Sequence, residues 1–442
     1  MLPEDRASLE AWAAEDPGRL LRARRGGVDQ LVVPPTLLDV LSLPGGSFLA
    51  VFSASGEVFA VPLAVIRDAP KRAVGGDGAF AGLFRSMQDG GDLGRFSARS
   101  FGELSGMEPL PGERVIDVDQ TNESVAVGER VVVKLYPRTS AGPQPGLELP
   151  AHLAAVAFTD LPRPIGALTW RDDDGADVLL ATAAAYLPGA RDGWDWYQER
   201  LLVWLDGDAD EDRAFGPAPL VGELVARMHV ALAEPSPWIP DPVGVADRAV
   251  VDGWRDRALA TLDDAIAVTH GAEGERLRAR AELAREALGG FDDVTETPLT
   301  HVHGDLHVGQ ILSWDEGYAV TDFDGNPLAP VAMRSARDTP VRDVAALVRS
   351  VDHLGRLAQA RRPGREADTE RWIARTRDVL LDAYWSELAT HGRAALFDGR
   401  LLRPLEVAQA LHEYAYAARF LPRWLDVADR AMRALVPLSG ER

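Results

Sequence analysis

Apolar residues change their spacing once along this chain, and that change bounds the fold. Up to about residue 185 they fall in short runs between turn residues. FLAVF, SASGE and VFAVPLAVI make a hairpin pattern, and RVIDVD, SVAV, RVVVKLYPR and DVLLATAAAYLPG are further strand-like runs. Beyond Gly189 they recur at three- and four-residue steps, in LVGELVARMHVALAE, GWRDRALATLDDAIAV, GERLRARAELAREAL, VRDVAALVRSVDHLG and LEVAQALHEYAYAARFL. That spacing predicts helices. Three segments follow: a separate N-terminal unit over 1–105, with a small sheet, flanking helices and the glycine-rich VGGDGAFAG; a β-rich lobe over 106–185; and a mainly helical lobe over 186–442. The class is α+β.

One polar cluster interrupts the helical half: His303-Gly304-Asp305-Leu306-His307-Val308-Gly309-Gln310. After it, QILSW and YAVTDF flank Asp315-Glu316-Gly317, a hairpin signal, and the second run leads to Asp322-Phe323-Asp324. His303, Asp305 and Gln310 keep the register H-x-D-x-x-x-x-N, with Gln in place of Asn. Phosphoryl transfer needs one carboxylate to orient the attacking hydroxyl and separate oxygen ligands for Mg²⁺. Asp305 suits the first role; Gln310 and Asp322, returned beside it by the turn, suit the second. A polar turn with capping aspartates would account for any one of these residues, but not for the constellation. HVHGDLH also approaches the H-x-H-x-D-H pattern of di-zinc hydrolases. Leu306 breaks that match, and the other histidines (152, 229, 270, 353, 391, 412) show no paired spacing. His301, on the incoming strand, reads as packed or hydrogen-bonded.

A phosphotransferase of this type needs a strand lysine for the α/β-phosphates and an acidic partner on the next helix. Lys134 in RVVVKLYPR and Glu148 in PGLELPAHLAA fit, although an edge-strand lysine that discourages aggregation is an equal reading of the first. The preceding turn, DQTNESVAVG, has no G-x-G-x-x-G. Gln120, Thr121, Asn122 and Ser124 offer hydroxyl and backbone donors instead. About twenty residues separate Asp322 from Thr339-Pro340, an N-cap and first-turn pair. That leaves little room for a peptide platform, so the acceptor is expected to be a small molecule. The layout is that of a bilobal protein-kinase-like fold, with ATP expected between the lobes and an extra N-terminal α/β cap.

Composition narrows the partners. With 47 Lys+Arg against 68 Asp+Glu the net charge is −21, which disfavours nucleic acid and anionic membranes. There is no cysteine, which excludes disulfides and thiol catalysis. MLPEDRASLEAW carries no apolar segment and no apolar run reaches membrane-spanning length, so a cytoplasmic protein is expected, monomeric or weakly self-associating.

From Asp119 onward the chain resembles the aminoglycoside phosphotransferase-like kinases, and within them the actinobacterial maltokinases and glucosamine kinases. DQTNESVAVGERVVVKLYPR, YLPGARDGW, GELVARMHVALA, HGDLHVGQILSW, TDFDGNP, TPVRDVAALVRSVDH and HEYAYAARFLPRWL carry the resemblance. Maltokinases show Asp-Phe-Glu-Gly-Glu-Pro where this chain has Asp322-Phe323-Asp324-Gly325-Asn326-Pro327, so it looks closer to the glucosamine kinase branch. The resemblance implies Asp305 as catalytic base, Gln310, Asp322 and Asp324 as Mg²⁺ ligands, and Lys134 with Glu148 as the phosphate-holding pair. It implies Tyr186 and Leu187 as the hinge reading adenine, and His307, Glu413, Tyr414 and Trp424 at the acceptor sugar. His303, Arg342 and Asp343 would support the loop. Glu406 and Gln409 share a helix face with Glu413, either as ammonium ligands or as a solvated polar stripe. The implied reaction takes the γ-phosphoryl of ATP to glucosamine, giving glucosamine 6-phosphate. Maltose or an aminoglycoside as acceptor, and a catalytically silent sensor, stay open.

Overall fold

The computed structural model describes residues 6–20, 34–66, 69–101, 111–116, 122–326 and 331–440. The chain divides into two compact units: residues 1–154, 162–188 and 329–333 form one, and residues 155–161, 189–328 and 334–442 the other.

The first unit holds two antiparallel sheets. One runs Thr36–Leu43, Ser47–Ala54, Glu57–Ile66, with both Ala69–Arg72 and the short Arg138–Thr139 pairing to Glu57–Ile66. The other has the order Gly91–Leu93, Phe96–Ser100, Pro164–Arg171, Asp177–Ala185, Val131–Leu135, Glu123–Val127, Glu113–Val115. The amphipathic helix Ala79–Asp89 lays Phe80, Leu83, Phe84 and Met87 into a core shared with Leu49, Val133, Leu168 and Trp170. The expected boundary at residue 105 falls inside this unit: Phe96–Ser100 pairs with Pro164–Arg171, and Arg138–Thr139 returns to Glu57–Ile66. At the start of the helix, the Glu113 carboxylate accepts from the N–H groups of Gly76, Gly78 and Ala81 at 2.8, 3.1 and 2.7 Å. The glycine-rich VGGDGAF turn is thereby occupied by the protein's own anion.

The second unit is helical. Pro217–Leu232 packs along Glu366–Thr390, and Pro340–Arg361 lies against Leu402–Phe420. Arg248–Val268 closes a core built on Trp254, Leu262, Leu288, Leu411 and Tyr414. GERLRARAELAREAL, expected as one helix, forms two, Gly271–Ala279 and Ala281–Leu288, broken at the buried Arg280. The hairpin appears as read: Ile311–Trp314 pairs with Gly317–Val320 in the register Ile311↔Val320 to Trp314↔Gly317, with Asp315-Glu316 as a two-residue turn. Among the described residues no helix is long and apolar enough to cross a membrane.

Candidate active site

The catalytic loop is held from several sides. Asp343, in the first turn of Pro340–Arg361, is 1% exposed. Its Oδ2 accepts the His303 N–H at 2.7 Å and its Oδ1 the Gly304 N–H at 3.0 Å. The His303 ring spans the loop in turn: Nε2 donates to the Thr321 carbonyl at 2.9 Å, and Nδ1 accepts the Asp305 N–H at 3.3 Å. These two bonds fix the tautomer, because a carbonyl only accepts and an amide N–H only donates. Behind the hairpin, the start of helix Gly193–Leu205 is pressed on the loop. Arg191 and Ser313 exchange backbone hydrogen bonds at 3.0 and 2.9 Å, and Trp196 Nε1 donates to the Ile311 carbonyl at 3.0 Å.

Asp305 follows directly on this clamp. Burial pushes its carboxyl up to about 6, with the charges of Asp322, Asp343 and Asp324 adding to the rise and His303 opposing it. Asp343 goes the other way. Burial would raise it, but the His229 hydrogen bond, the nearby imidazoles and the Gly304 N–H outweigh that and hold it ionised below its ordinary value.

Gln310 and Asp322 meet across the hairpin. The Gln310 side-chain amide lies 3.4 Å from Asp322 Oδ2 and 3.4 Å from His307 Nε2, and the Thr321 N–H bonds the Gln310 carbonyl at 3.0 Å. Asp322 has φ 67°, the left-handed region that non-glycine residues seldom occupy, and Asp is among those that tolerate it. The Gln310 amide oxygen and the Asp322 carboxylate are hard-oxygen donors of the kind Mg²⁺ takes. Among the described residues no group of three or more His, Asp or Glu gathers that could hold a metal ion, around HVHGDLH or around these aspartates.

An aromatic ledge runs from the loop toward Glu413. The Trp194 ring lies 5.8 Å from His307 and 5.7 Å from His353, and Trp424 lies 5.2 Å from His353. Burial drives the His307 imidazole down to about 4, so it is neutral near pH 7. Burial also lowers His353, against the pull of the neighbouring Glu413 carboxylate. Glu413 receives Gln409 Nε2 at 3.3 Å and a guanidinium nitrogen of the buried Arg349 at 3.5 Å. Two residues expected near the sugar are committed elsewhere. Tyr414 is fully buried, its single hydroxyl proton shared between the Glu273 carbonyl at 2.9 Å and Asp429 Oδ1 at 3.1 Å. It is a core residue, because adjacent helix positions face about 100° apart. Glu406 is 3% exposed and holds Arg377 through both oxygens, so it is neither an ammonium ligand nor part of a solvated stripe. Arg342 does not touch the loop. It pairs with Asp338 at 2.6 Å, and Asp338 exchanges backbone bonds with Thr300 on the entering strand.

In the first unit, Val131, Val133 and Leu135 face the core and Lys134 the opposite side. Lys134 stands opposite Ser124 on one neighbouring strand and Thr182 on the other, a polar stripe across an apolar sheet, with its ammonium 5.4 Å from the Tyr136 ring centroid. Glu148 lies in the first turn of Pro145–Ala155, where its carboxylate accepts the Gln144 N–H. Asn122 begins the described turn; Thr121 lies outside the described residues, as does Pro327. The Tyr186 N–H donates to the Arg130 carbonyl at 2.9 Å. The Tyr186 hydroxyl receives Arg114 at 3.0 Å.

Sequence reasoning passed over Trp194, His353, His229 and Tyr384. Trp194, His353 and His229 lie inside motifs that carried the resemblance, but periodicity marks them only as helix residues. Tyr384 has no local signal at all, since its role depends on a partner 155 residues away.

The fold and this loop define a class first: a phosphotransferase with a kinase-like catalytic loop acting on a hydroxyl. No family model matches the chain. It is 42% identical over 440 residues to a glucosamine kinase of Streptacidiphilus jiangxiensis, covering 97% of this chain and 98% of that protein. It is 38% identical over 416 residues to a glucosamine kinase of Mycolicibacterium smegmatis (strain ATCC 700084 / mc(2)155), covering 90% and 98%. A solved glucosamine kinase in complex with glucosamine, ADP and inorganic phosphate superposes with a TM-score of 0.80 at 38% identity, covering 99% of this chain and all of that one. The chain belongs to the glucosamine kinase family.

Proposed function

We propose that this protein transfers the γ-phosphoryl group of ATP to glucosamine, giving glucosamine 6-phosphate, with Mg²⁺ as cofactor and in the cytoplasm, where ATP is made available. The observation that carries the reading is the ledge His307–Trp194–His353–Trp424, which leads from the catalytic loop to the carboxylate of Glu413. Indole and imidazole faces pack on a sugar ring, and a carboxylate at the end of them suits an ammonium. Neutral hexoses offer hydroxyl donors there but no cation to pair with that charge.

Asp305 orients the acceptor hydroxyl and takes its proton late. A largely dissociative transition state asks for positioning more than for a strong base. The carboxyl, raised to about 6, still ionises near neutral pH and lies closer to the working range than an ordinary aspartate. Gln310 Oε1, Asp322 and Asp324 would hold Mg²⁺, which supplies charge neutralisation on the nucleotide phosphates. Lys134, braced by Glu148, would hold the α/β-phosphates, with Asn122, Ser124 and Thr121 covering them and Leu187 reading adenine. His303 and Asp343 keep the loop in place.

Chelation is expected to abolish ADP release and added Mg²⁺ to restore it. The phosphorus–proton coupling of the product is expected at the C6 protons. Coupling to the anomeric proton instead would overturn the assigned hydroxyl, and turnover undiminished by chelation the metal.

A further inference from the structure

We infer that His229 and Tyr384 are positioning residues that set the catalytic loop through Asp343. This rests on the reading of Asp305 as the reactive carboxylate. All three side chains are buried, His229 and Tyr384 completely. His229 Nε2 lies 3.1 Å from Asp343 Oδ2, and His229 Nδ1 lies 2.8 Å from the Tyr384 hydroxyl. Asp343, as a carboxylate, only accepts, so Nε2 carries the proton that lies toward it, and Nδ1 shares a hydrogen bond with the Tyr384 hydroxyl. The relay Tyr384–His229–Asp343 ends on the His303 and Gly304 amides, which immediately precede Asp305.

Each link sits on a different helix. Tyr384 is on Glu366–Thr390, His229 on Pro217–Leu232 and Asp343 on Pro340–Arg361. The first two are packed so closely that a Cβ on Gly222 would meet the Leu380 carbonyl at 2.3 Å and the Tyr384 N–H nitrogen at 3.1 Å. A fully buried imidazole that served packing alone would be replaceable by an apolar side chain at little cost to the loop. Here removal of its N–H leaves the Oδ2 of a buried carboxylate with one amide donor, and that oxygen is free to turn away from the His303 peptide.

The test uses the full-length protein and the variants Tyr384→Phe, His229→Gln and His229→Leu, read in two ways. Amide hydrogen exchange over 301–310, followed by mass spectrometry without substrate, reports the loop whatever the acceptor proves to be. Turnover per ATP-binding site reports its consequence, with wild type on glucosamine as the reference for the proposed function. Tyr384→Phe, the mildest change, is expected to speed exchange of the loop peptide severalfold and lower kcat about threefold to tenfold with both KM values unchanged. His229→Leu should lower kcat further, and His229→Gln, whose amide N–H stands near the place of Nε2–H, should recover much of it. Wild-type exchange of the loop in Tyr384→Phe and His229→Leu would overturn the relay, as would a kcat per site that stays at wild type while only melting temperature falls. An inactive wild type with the expected exchange changes would overturn the acceptor and spare the relay.

Discussion

Ionised Asp305 lies beside Asp322, Asp324 and Asp343, and burial together with their charges raises its carboxyl to about 6 from an ordinary 3.8. The folded protein thus binds that proton more tightly than the unfolded chain. Stability from this group is gained as pH falls through about 6 and is lost above it, by an order of about 1 to 3 kcal/mol. Asp305→Asn is expected to melt above wild type at pH 8, with the difference shrinking toward pH 5, while turnover drops about a hundredfold or more. Equal melting at pH 8 would contradict the burial argument, and turnover above about a tenth of wild type would contradict the role. Glu413→Gln tests the ammonium contact: KM for glucosamine should rise about tenfold, worth about 1.4 kcal/mol, with little change in kcat. A KM that does not move removes Glu413 from the acceptor wall. Lys134 offers a chemical test, because the chain holds only two lysines, Lys71 and Lys134, among its 47 basic residues. An ATP-based acyl phosphate is expected to label Lys134 and ATP to protect it, with exposed Lys71 as the internal control. Val131–Leu135 is paired on both sides, with Asp177–Ala185 and Glu123–Val127, so Lys134 is not an edge-strand lysine.

At the scale of elements, the hairpin and the first turn of the following helix were readable because their signals are local: a two-residue turn, a Thr-Pro start, a fixed spacing of polar residues. The clamp behind the loop was not. Gly193 opens Gly193–Leu205 so close to the catalytic loop that a Cβ there would meet the Val308 carbonyl oxygen at 1.9 Å and its carbon at 2.6 Å. Backbone cannot yield as a side-chain tip does. Gly193→Ala is therefore expected to cost about 1–3 kcal/mol of stability and to reduce kcat with it. A variant as stable and active as wild type, by thermal melting and ADP release, would show that the helix start does not set the loop. The partners of the polar residues on Leu402–Phe420 were illegible for a related reason. Spacing put Glu406, Gln409 and Glu413 on one face and the resemblance added Tyr414, but only tertiary packing sends Tyr414 to Asp429 and Glu406 to Arg377 while Glu413 reaches Arg349.

For the whole molecule, the switch from strand to helix spacing near residue 186 was legible, and the chain passes from one compact unit to the other at 188–189. The two compact units have no boundary near 105. Sequence shows where turns lie but not which strands pair, and the two-residue strand Arg138–Thr139 is too short to carry a pattern. The acceptor was legible only through resemblance, since Trp194, His353 and Glu413 meet from three separate helices. The most direct test is ADP release with ATP and Mg²⁺ across glucosamine, glucose, N-acetylglucosamine, maltose and an aminoglycoside. Turnover confined to glucosamine is the expected result; turnover on maltose with none on glucosamine, or silence on every acceptor, would contradict it.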